Sequence, residues 1–171
     1  RSDPALTAPD IRLGINLWSG SDLRNRHAKR DMRLDPNSAF SVSVYVLHSD
    51  AVGTVRIKSA DSCVVPEIRY NLFRSERDHM KAVKAARIAR RILALPPVSA
   101  YVAGETAPGP SAQSDEDLIA YFKAHGRPNN HGVGTCKMGV DDAAVVDPRL
   151  RVKGVSGLRV IDASVMPRIV A

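Results

Sequence analysis

The chain has 171 residues, of which 44% are hydrophobic and 25% charged, and its formal net charge at pH 7 is +7. This profile is typical of an ordinary globular domain, and no apolar run approaches the ~18 residues that a membrane-spanning helix requires. Two cysteines exclude a disulfide-rich scaffold and favour a reducing, cytoplasmic compartment.

Alternation of apolar and polar residues at period two predicts β-strands in the first 70 residues. The connection at 48–53 suggests that the strands on either side of it pair in antiparallel fashion. Pro66 limits the last strand to a sheet edge, because proline cannot donate a ladder hydrogen bond. Residues 19–38 are polar and charged and predict a long, mobile loop. The expected strands lie at 11–17, 40–47, 54–58 and 64–70.

A long helix is predicted at 76–95. Ser75 and Asp78 have the spacing of a capping box at its start, and two prolines after Leu95 end it. The same Ser-x-x-Asp spacing from Ser114 predicts a second, shorter helix at about 115–124. The apolar side of the long helix is expected to hold Met80, Val83, Ile88, Ile92 and Leu95, and that of the short helix Leu118, Ile119 and Phe122. Together, strands and helices predict an α+β fold in which helices cover one face of an antiparallel sheet.

The long helix also carries a stripe of basic residues, and this stripe admits two interpretations. It could bind nucleic acid or an anionic membrane surface. A solvated helix face is favoured, because no aromatic residues interleave with the stripe to stack on bases. A non-catalytic module that binds acidic partners through 77–91 is therefore kept only as an alternative. The stripe consists of Arg77, Lys81, Lys84, Arg87 and Arg91.

The run HGVGTCKMG at 131–139 holds the candidate reactive residues. Cys136 could be a nucleophile activated by Lys137, but sequence neighbours on a strand point to opposite faces, so a buried structural cysteine is favoured. A lone histidine is usually structural, yet two glycines after His131 would let the backbone approach a flat ligand closely. An imidazole also exchanges protons near neutral pH, so His131 is the candidate general base. The histidines and cysteines lack zinc-ligand spacing, so no metal site is expected.

This run and VVDPRLRVKGVSGLRVIDASVMP at 145–167 together resemble the C-terminal signature of the glucose–methanol–choline oxidoreductases, which are FAD-dependent enzymes that oxidise alcohols. Weaker similarity appears in APDIRL, VGTVRIKSAD and ARRILALPPV, so the resemblance covers essentially the whole chain. It implies that 1–127 form part of a substrate-binding domain. It further implies that 128–171 line the active site and the FAD, with strands that complete an FAD-binding domain.

The resemblance also implies roles for particular residues. His131 would lie beside the flavin ring and accept the hydroxyl proton of a small alcohol, while the carbon-bound hydrogen leaves as hydride to FAD. Asn130 would line the flavin, although family members commonly have an aromatic residue there. Asp162 and Ala163 would belong to a strand-to-helix turn whose N–H groups face the FAD diphosphate and ribityl chain. Either oxygen or a quinone-type acceptor could reoxidise the flavin.

The sequence lacks the dinucleotide fingerprint G-x-G-x-x-G, which the resemblance assigns to the family's N-terminal region. Family members also continue past the position of Ala171 into a second active-site His or Asn. We therefore expect this chain to be the C-terminal part of a larger flavoenzyme, inactive and without tightly bound FAD when isolated. An inactive relative that keeps the fold as a scaffold is a further alternative.

Overall fold

The computed structural model describes residues 1–20 and 34–170 and has α+β composition. Most of the expected loop at 19–38 lies outside the described residues. Neither of its two α-helices is long and apolar enough to cross a membrane. The strands are β1 Ile11–Asn16, β2 Ser41–Val46, β3 Thr54–Arg56 and β4 Glu67–Arg69. The α-helices are α1 Glu76–Leu93 and α2 Asp115–His125, and 3₁₀ helices lie at Val98–Tyr101 and Ala163–Val165.

The chain divides into two compact units. The first combines Arg1–Leu47 with Ser75–Gly126, and the second combines His48–Arg74 with Arg127–Ala171. Residues 48–74 therefore group with the second unit, whereas the sequence had placed them within 1–127. The reason is that β3 and β4 pair only with each other among the described strands.

The predicted pairing of 40–47 with 54–58 is wrong, and so is the single sheet. The structure has two separate two-stranded antiparallel sheets, β1–β2 and β3–β4. In the first sheet the register runs from Ile11 opposite Val46 to Asn16 opposite Ser41. Alternation identifies a strand but not its partner, and the sequence reading took the neighbour across a short loop.

Helix α1 packs on β1 and β2 in the first unit, and α2 packs on α1. The hydroxyl of Ser75 accepts a hydrogen bond from the amide of Asp78 at 3.1 Å, so α1 begins where the capping signal placed it. Val83 is buried and Ile88 half-buried, as expected, but Met80, Ile92 and Leu95 are exposed, so the expected apolar side is only partly correct. The rest of the buried face is made mainly of small residues. The buried residues of α1 are Asp78, Lys81, Ala82, Val83, Ala85 and Ala89.

Lys81 interrupts the basic stripe, because its side chain is buried against the sheet rather than solvated. Only 6% of the residue is exposed, and Nζ donates to the carbonyl of Leu47 at the end of β2, 3.1 Å away. Arg87 of the same stripe forms an ion pair with Asp115 at the start of α2. A continuous basic face on α1 is therefore not present, which weakens the acidic-partner alternative.

The capping box of α2 is confirmed in full. Ser114 Oγ accepts from the amide of Asp117 at 3.1 Å, and the Asp117 carboxylate accepts from the amide of Ser114 at 3.2 Å. Leu118 is fully buried, whereas Ile119 and Phe122 are half-buried. The helix ends at the cap residue Gly126, whose amide donates to the carbonyl of Phe122.

The described residues after 127 contain turns and isolated bridges rather than long strands. Met138 bridges Val146 in parallel, and Val146 bridges Val152 in antiparallel fashion. Val146 and Val165 are buried and form the centre of this part of the second unit. Most of the residues with candidate chemistry lie in its loops.

Candidate active site

A short turn at Ala163–Val165 organises the C-terminal half of the candidate site. The Oδ1 atom of Asp162 accepts a hydrogen bond from the amide of Ser164 at 2.8 Å, and the Asp162 carbonyl accepts from the amide of Val165 at 3.3 Å. Hydrogen bonds from the hydroxyl and the amide of Ser164 lower the pKa of the Asp162 carboxyl below its ordinary value. This carboxylate is therefore charged at neutral pH.

The loop that contains His131 is hydrogen-bonded to this turn. The amides of Gly134 and Cys136 both donate to the carbonyl of Ser164, each at 3.0 Å. The amide of Met138 donates to the carbonyl of Val165 at 2.8 Å. Two motifs that are far apart in sequence are thus held together by backbone hydrogen bonds.

The two glycines after His131 have different roles. Gly134 has φ +86°, a left-handed conformation that strains any residue with a Cβ, so glycine is needed for the backbone itself. At Gly132, apart from the residue itself and its two chain neighbours, no atom of the described residues lies within 4 Å of the place where a Cβ would be. The protein alone therefore leaves open space beside Gly132.

His131 and Asn130 form the exposed start of this loop. The imidazole of His131 is exposed, which makes it accessible to a small molecule. Asn130 is also exposed and has φ +57°, a conformation that asparagine adopts more readily than most residues. An aromatic residue at this position would meet a larger steric penalty with this backbone conformation.

Neither cysteine gains support as a nucleophile. Cys136 is half-buried and Cys63 is exposed, and both are free thiols. The Nζ atom of Lys137 lies 3.2 Å from a carboxylate oxygen of Asp141, so its charge is engaged there. Hydrogen bonding from Lys137 in turn lowers the pKa of Asp141.

A second carboxylate-capped turn lies in the same unit, at Asp147. Its Oδ1 accepts from the amides of Arg149 at 2.8 Å and Arg151 at 3.0 Å, and its Oδ2 accepts from Nε of Arg151 at 2.8 Å. The bond from the Arg151 amide contributes most to lowering the pKa of Asp147, and the other two bonds lower it further. Asp147 is thus chemically similar to Asp162, but its carboxylate bonds residues 149–151 rather than the turn that holds the His131 loop.

The structure brings together the segments of all four expected site residues, Asn130, His131, Asp162 and Ala163. The connecting groups are the backbone carbonyls of Ser164 and Val165, which sequence reasoning missed. The sequence did contain one signal for the turn, since Asp-x-Ser is typical of a carboxylate that bonds an amide two residues later. No signal indicated that the carbonyls of this turn would bind the His131 loop.

A model of the family described as GMC oxidoreductase matches residues 49–171. The oxygen-dependent choline dehydrogenase of Ectopseudomonas mendocina (strain ymp) is 37% identical over 99% of this chain. That of Serratia proteamaculans (strain 568) is 41% identical over 77% of this chain. The chain spans only 29% and 24% of the lengths of these two relatives.

Solved structures give the same picture. Pyridoxine 4-oxidase from Mesorbium loti superimposes with a TM-score of 0.82 at 26% identity, over 99% of this chain and 32% of the other. A fungal aryl-alcohol oxidase superimposes with a TM-score of 0.66 at 33% identity, over 78% of this chain and 22% of the other.

The turn at Asp162 fits one part of an FAD molecule better than another. The amide of Ser164 is occupied by the Asp162 carboxylate, so it is not available to a phosphate. The negative charge of Asp162 also opposes a diphosphate at this place. A charged carboxylate is, however, a strong acceptor for hydroxyl donors, such as those of a ribityl chain. The carboxylate therefore fits the polyol part of the cofactor, and a contact between the other amides of this turn and the diphosphate stays a prediction.

Proposed function

The chain belongs to the glucose–methanol–choline (GMC) oxidoreductase family, and from this premise we propose that it is the C-terminal part of an FAD-dependent alcohol oxidoreductase. The enzyme oxidises a CH–OH group of a small molecule to a carbonyl. The names of its relatives support this class, because choline, pyridoxine and aryl alcohols all carry a hydroxyl group on carbon.

The observation that carries the proposal is the attachment of the His131 loop to the Asp162 turn. Three backbone hydrogen bonds of 2.8–3.0 Å join these motifs. They leave the imidazole of His131 exposed, with open space beside the neighbouring Gly132. A proton acceptor next to space for a flat ligand is the arrangement that alcohol oxidation by hydride transfer requires.

In the proposed reaction, bound FAD would supply the acceptor for a hydride from the substrate carbon. A ring nitrogen of His131 accepts the hydroxyl proton, which makes the substrate a better hydride donor. The resulting imidazolium N–H then hydrogen-bonds the developing carbonyl oxygen. Asn130 would contribute to the flavin-facing wall, while Asp162 and Ala163 would hold the ribityl hydroxyls through the carboxylate and the backbone of the turn.

The first test is His131→Ala in the full-length gene product. We expect the flavin spectrum to be retained and turnover to fall by at least about 10²-fold, because a positioned general base is lost. The matched control is His125→Ala, since His125 is an exposed histidine at the end of α2 in the other unit. The measurement is the rate of flavin bleaching by alcohol without oxygen, with choline, pyridoxine and an aryl alcohol in the panel.

Two results would refute the proposal in different ways. A colourless wild-type protein would remove the cofactor and with it the reaction class. A flavoprotein in which His131→Ala bleaches as fast as wild type would keep the class but remove His131 as the base. Turnover with oxygen and with a quinone, measured separately, decides the electron acceptor, and the oxygen-dependent relatives favour oxygen.

A further inference from the structure

We propose that Asp162 is a positioning residue for His131, in addition to its contact with the cofactor. The inference rests on the proposed function, because it assigns to Asp162 the orientation of the proposed base. Hydrogen bonds connect the Asp162 carboxylate to the His131 loop through a single turn.

The first step is that the carboxylate defines the turn. The 3₁₀ helix has only three residues, and its internal backbone bonds from Val165 and Met166 are 3.3 and 3.1 Å long. The bond from the amide of Ser164 to Oδ1 of Asp162 is shorter, at 2.8 Å, and its acceptor is charged. A turn this short is not stable by itself, so the cap contributes a large share of its stability.

The second step is that the turn orients the acceptors of the loop. The Ser164 carbonyl shares a peptide unit with the amide of Val165, which donates to the Asp162 carbonyl at 3.3 Å. The turn that the carboxylate caps therefore sets the direction of the Ser164 carbonyl. That carbonyl accepts from both Gly134 and Cys136, which uses both of its lone pairs. If the turn relaxes, these two bonds weaken together.

The loop is also anchored at 145–146, because the carbonyl of Lys137 accepts from the amides of Val145 and Val146, but this contact lies further from His131 in sequence. Gly132 and Gly134 make its backbone permissive, and His131 directly precedes them. The bonds from Gly134 and Cys136 to the Ser164 carbonyl lie nearer to His131, so they restrict the position of the imidazole most directly. Displacement of a reacting group by about 1 Å can reduce a rate by about 10²-fold.

Amide hydrogen exchange on the full-length gene product tests the physical connection without any turnover. In Asp162→Ala, exchange at Gly134, Cys136 and Met138 should accelerate about tenfold or more, together with Ser164. Asp162→Asn keeps an oxygen acceptor and should restore most of the protection. In the control Asp147→Ala, acceleration should be confined to the amides of 149–151, because that carboxylate caps a different turn.

Kinetics then separate positioning from cofactor binding. With saturating FAD, Asp162→Ala should lose about 10²-fold in kcat with a much smaller change in KM. Asp162→Asn should lie within a few-fold of wild type. Full recovery of Asp162→Ala by excess FAD would overturn the proposal, because Asp162 would then act on the cofactor alone.

The exchange measurement also separates failure of the positioning role of Asp162 from failure of the proposed function. Unchanged exchange at Gly134 and Cys136 in Asp162→Ala would refute the positioning role even if alcohols are oxidised. Conversely, a wild-type protein without alcohol-dependent flavin reduction would refute the proposed function while exchange still decides the connection. If Asp162→Ala does not fold, wild-type exchange in a denaturant series decides it, since the amides of 134–138 and 164 must then open as one unit.

Discussion

Asp10 is a buried carboxylate in the first unit, and it accepts hydrogen bonds from Ser2. The amide and the hydroxyl of Ser2 donate to its two oxygens, at 2.7 and 2.5 Å. Burial would raise the pKa of Asp10, but the hydrogen bonds from Ser2 outweigh it and Lys81 adds to them, so the pKa lies below its ordinary 3.8. The stabilisation is thus complete above about pH 3.8 and is lost as pH falls through the lower, folded-state pKa.

Removal of the Ser2 hydroxyl tests this linkage. We expect Ser2→Ala to lower the free energy of unfolding at pH 7 by about 1–3 kcal/mol, because a hydrogen bond to a charged acceptor is lost. The deficit should shrink at an acidic pH below the folded-state pKa of Asp10, because the carboxyl group is then protonated in both proteins. Denaturant titrations at the two pH values measure it, with the exposed Ser111→Ala as control. An equal deficit at both pH values would show that Ser2 does not act through the charge of Asp10.

Gly132 and Gly134 provide a matched pair for the active-site loop. Gly134→Ala forces a Cβ into a left-handed conformation and should cost about 1–2 kcal/mol of stability. Gly132→Ala meets open space in the protein and should change stability by less than about 0.5 kcal/mol. If a flavin fills that space, however, Gly132→Ala should still impair FAD binding. Thermal unfolding and flavin content measure the two effects, and equal destabilisation by both variants would contradict this assignment.

These glycines show what residue-level reasoning could and could not provide. The sequence indicated that both would bring the backbone close to a ligand. The φ of Gly134 reveals a different requirement, since glycine is needed there to let the loop reach the carbonyl of Ser164. A backbone angle imposed by a distant turn leaves no trace in the composition of the loop itself.

At the scale of elements, helix α1 has one feature that depends on neighbouring residues in sequence, its start, and one that depends on tertiary contacts, its buried face. Its start at Ser75 was predictable, because capping depends on residues within one turn. Its buried face was not, because the sequence reading followed large apolar residues, whereas much of the buried face is formed by Ala82, Ala85 and Ala89. Which face is buried depends on the neighbouring sheet, and the same limit explains why Lys81 was placed on a solvated stripe.

Lys81 and Lys84 allow this correction to be tested on a single helix. Lys81→Ala should lower the free energy of unfolding by about 1–3 kcal/mol, since it removes a buried hydrogen bond to the Leu47 carbonyl and a charge that favours ionised Asp10. Lys84→Ala, at an exposed position one residue before Ala85, should change it by less than about 0.5 kcal/mol. Chemical denaturation measures both. Small effects of equal size would contradict the burial of Lys81 and indicate that its side chain faces solvent like the rest of the stripe.

At the scale of the whole molecule, local signals predicted most elements and long-range pairing was the main error. The strands near 11–17, 40–47, 54–58 and 64–70 all exist in shorter form, yet β2 pairs with β1 rather than with β3. Partner choice depends on contacts across many residues, which periodicity does not encode. The site shows the same division, because both motifs were recognisable and the carbonyls of Ser164 and Val165 that join them were not.

Exposed apolar side chains in the second unit lead to a prediction for the 1–171 polypeptide expressed by itself. Val140 and Ile161 are large residues with 88% and 78% of their surfaces exposed, and Leu158 is half exposed. Such surface favours association in water, so we expect the polypeptide to self-associate and to retain little FAD. Leu158→Lys combined with Ile161→Lys should reduce association in light scattering, whereas the same change at the polar position Ser156 should not. A monomeric polypeptide with stoichiometric flavin would contradict both parts of the expectation. It would show that the exposed apolar surface neither causes association nor prevents FAD binding.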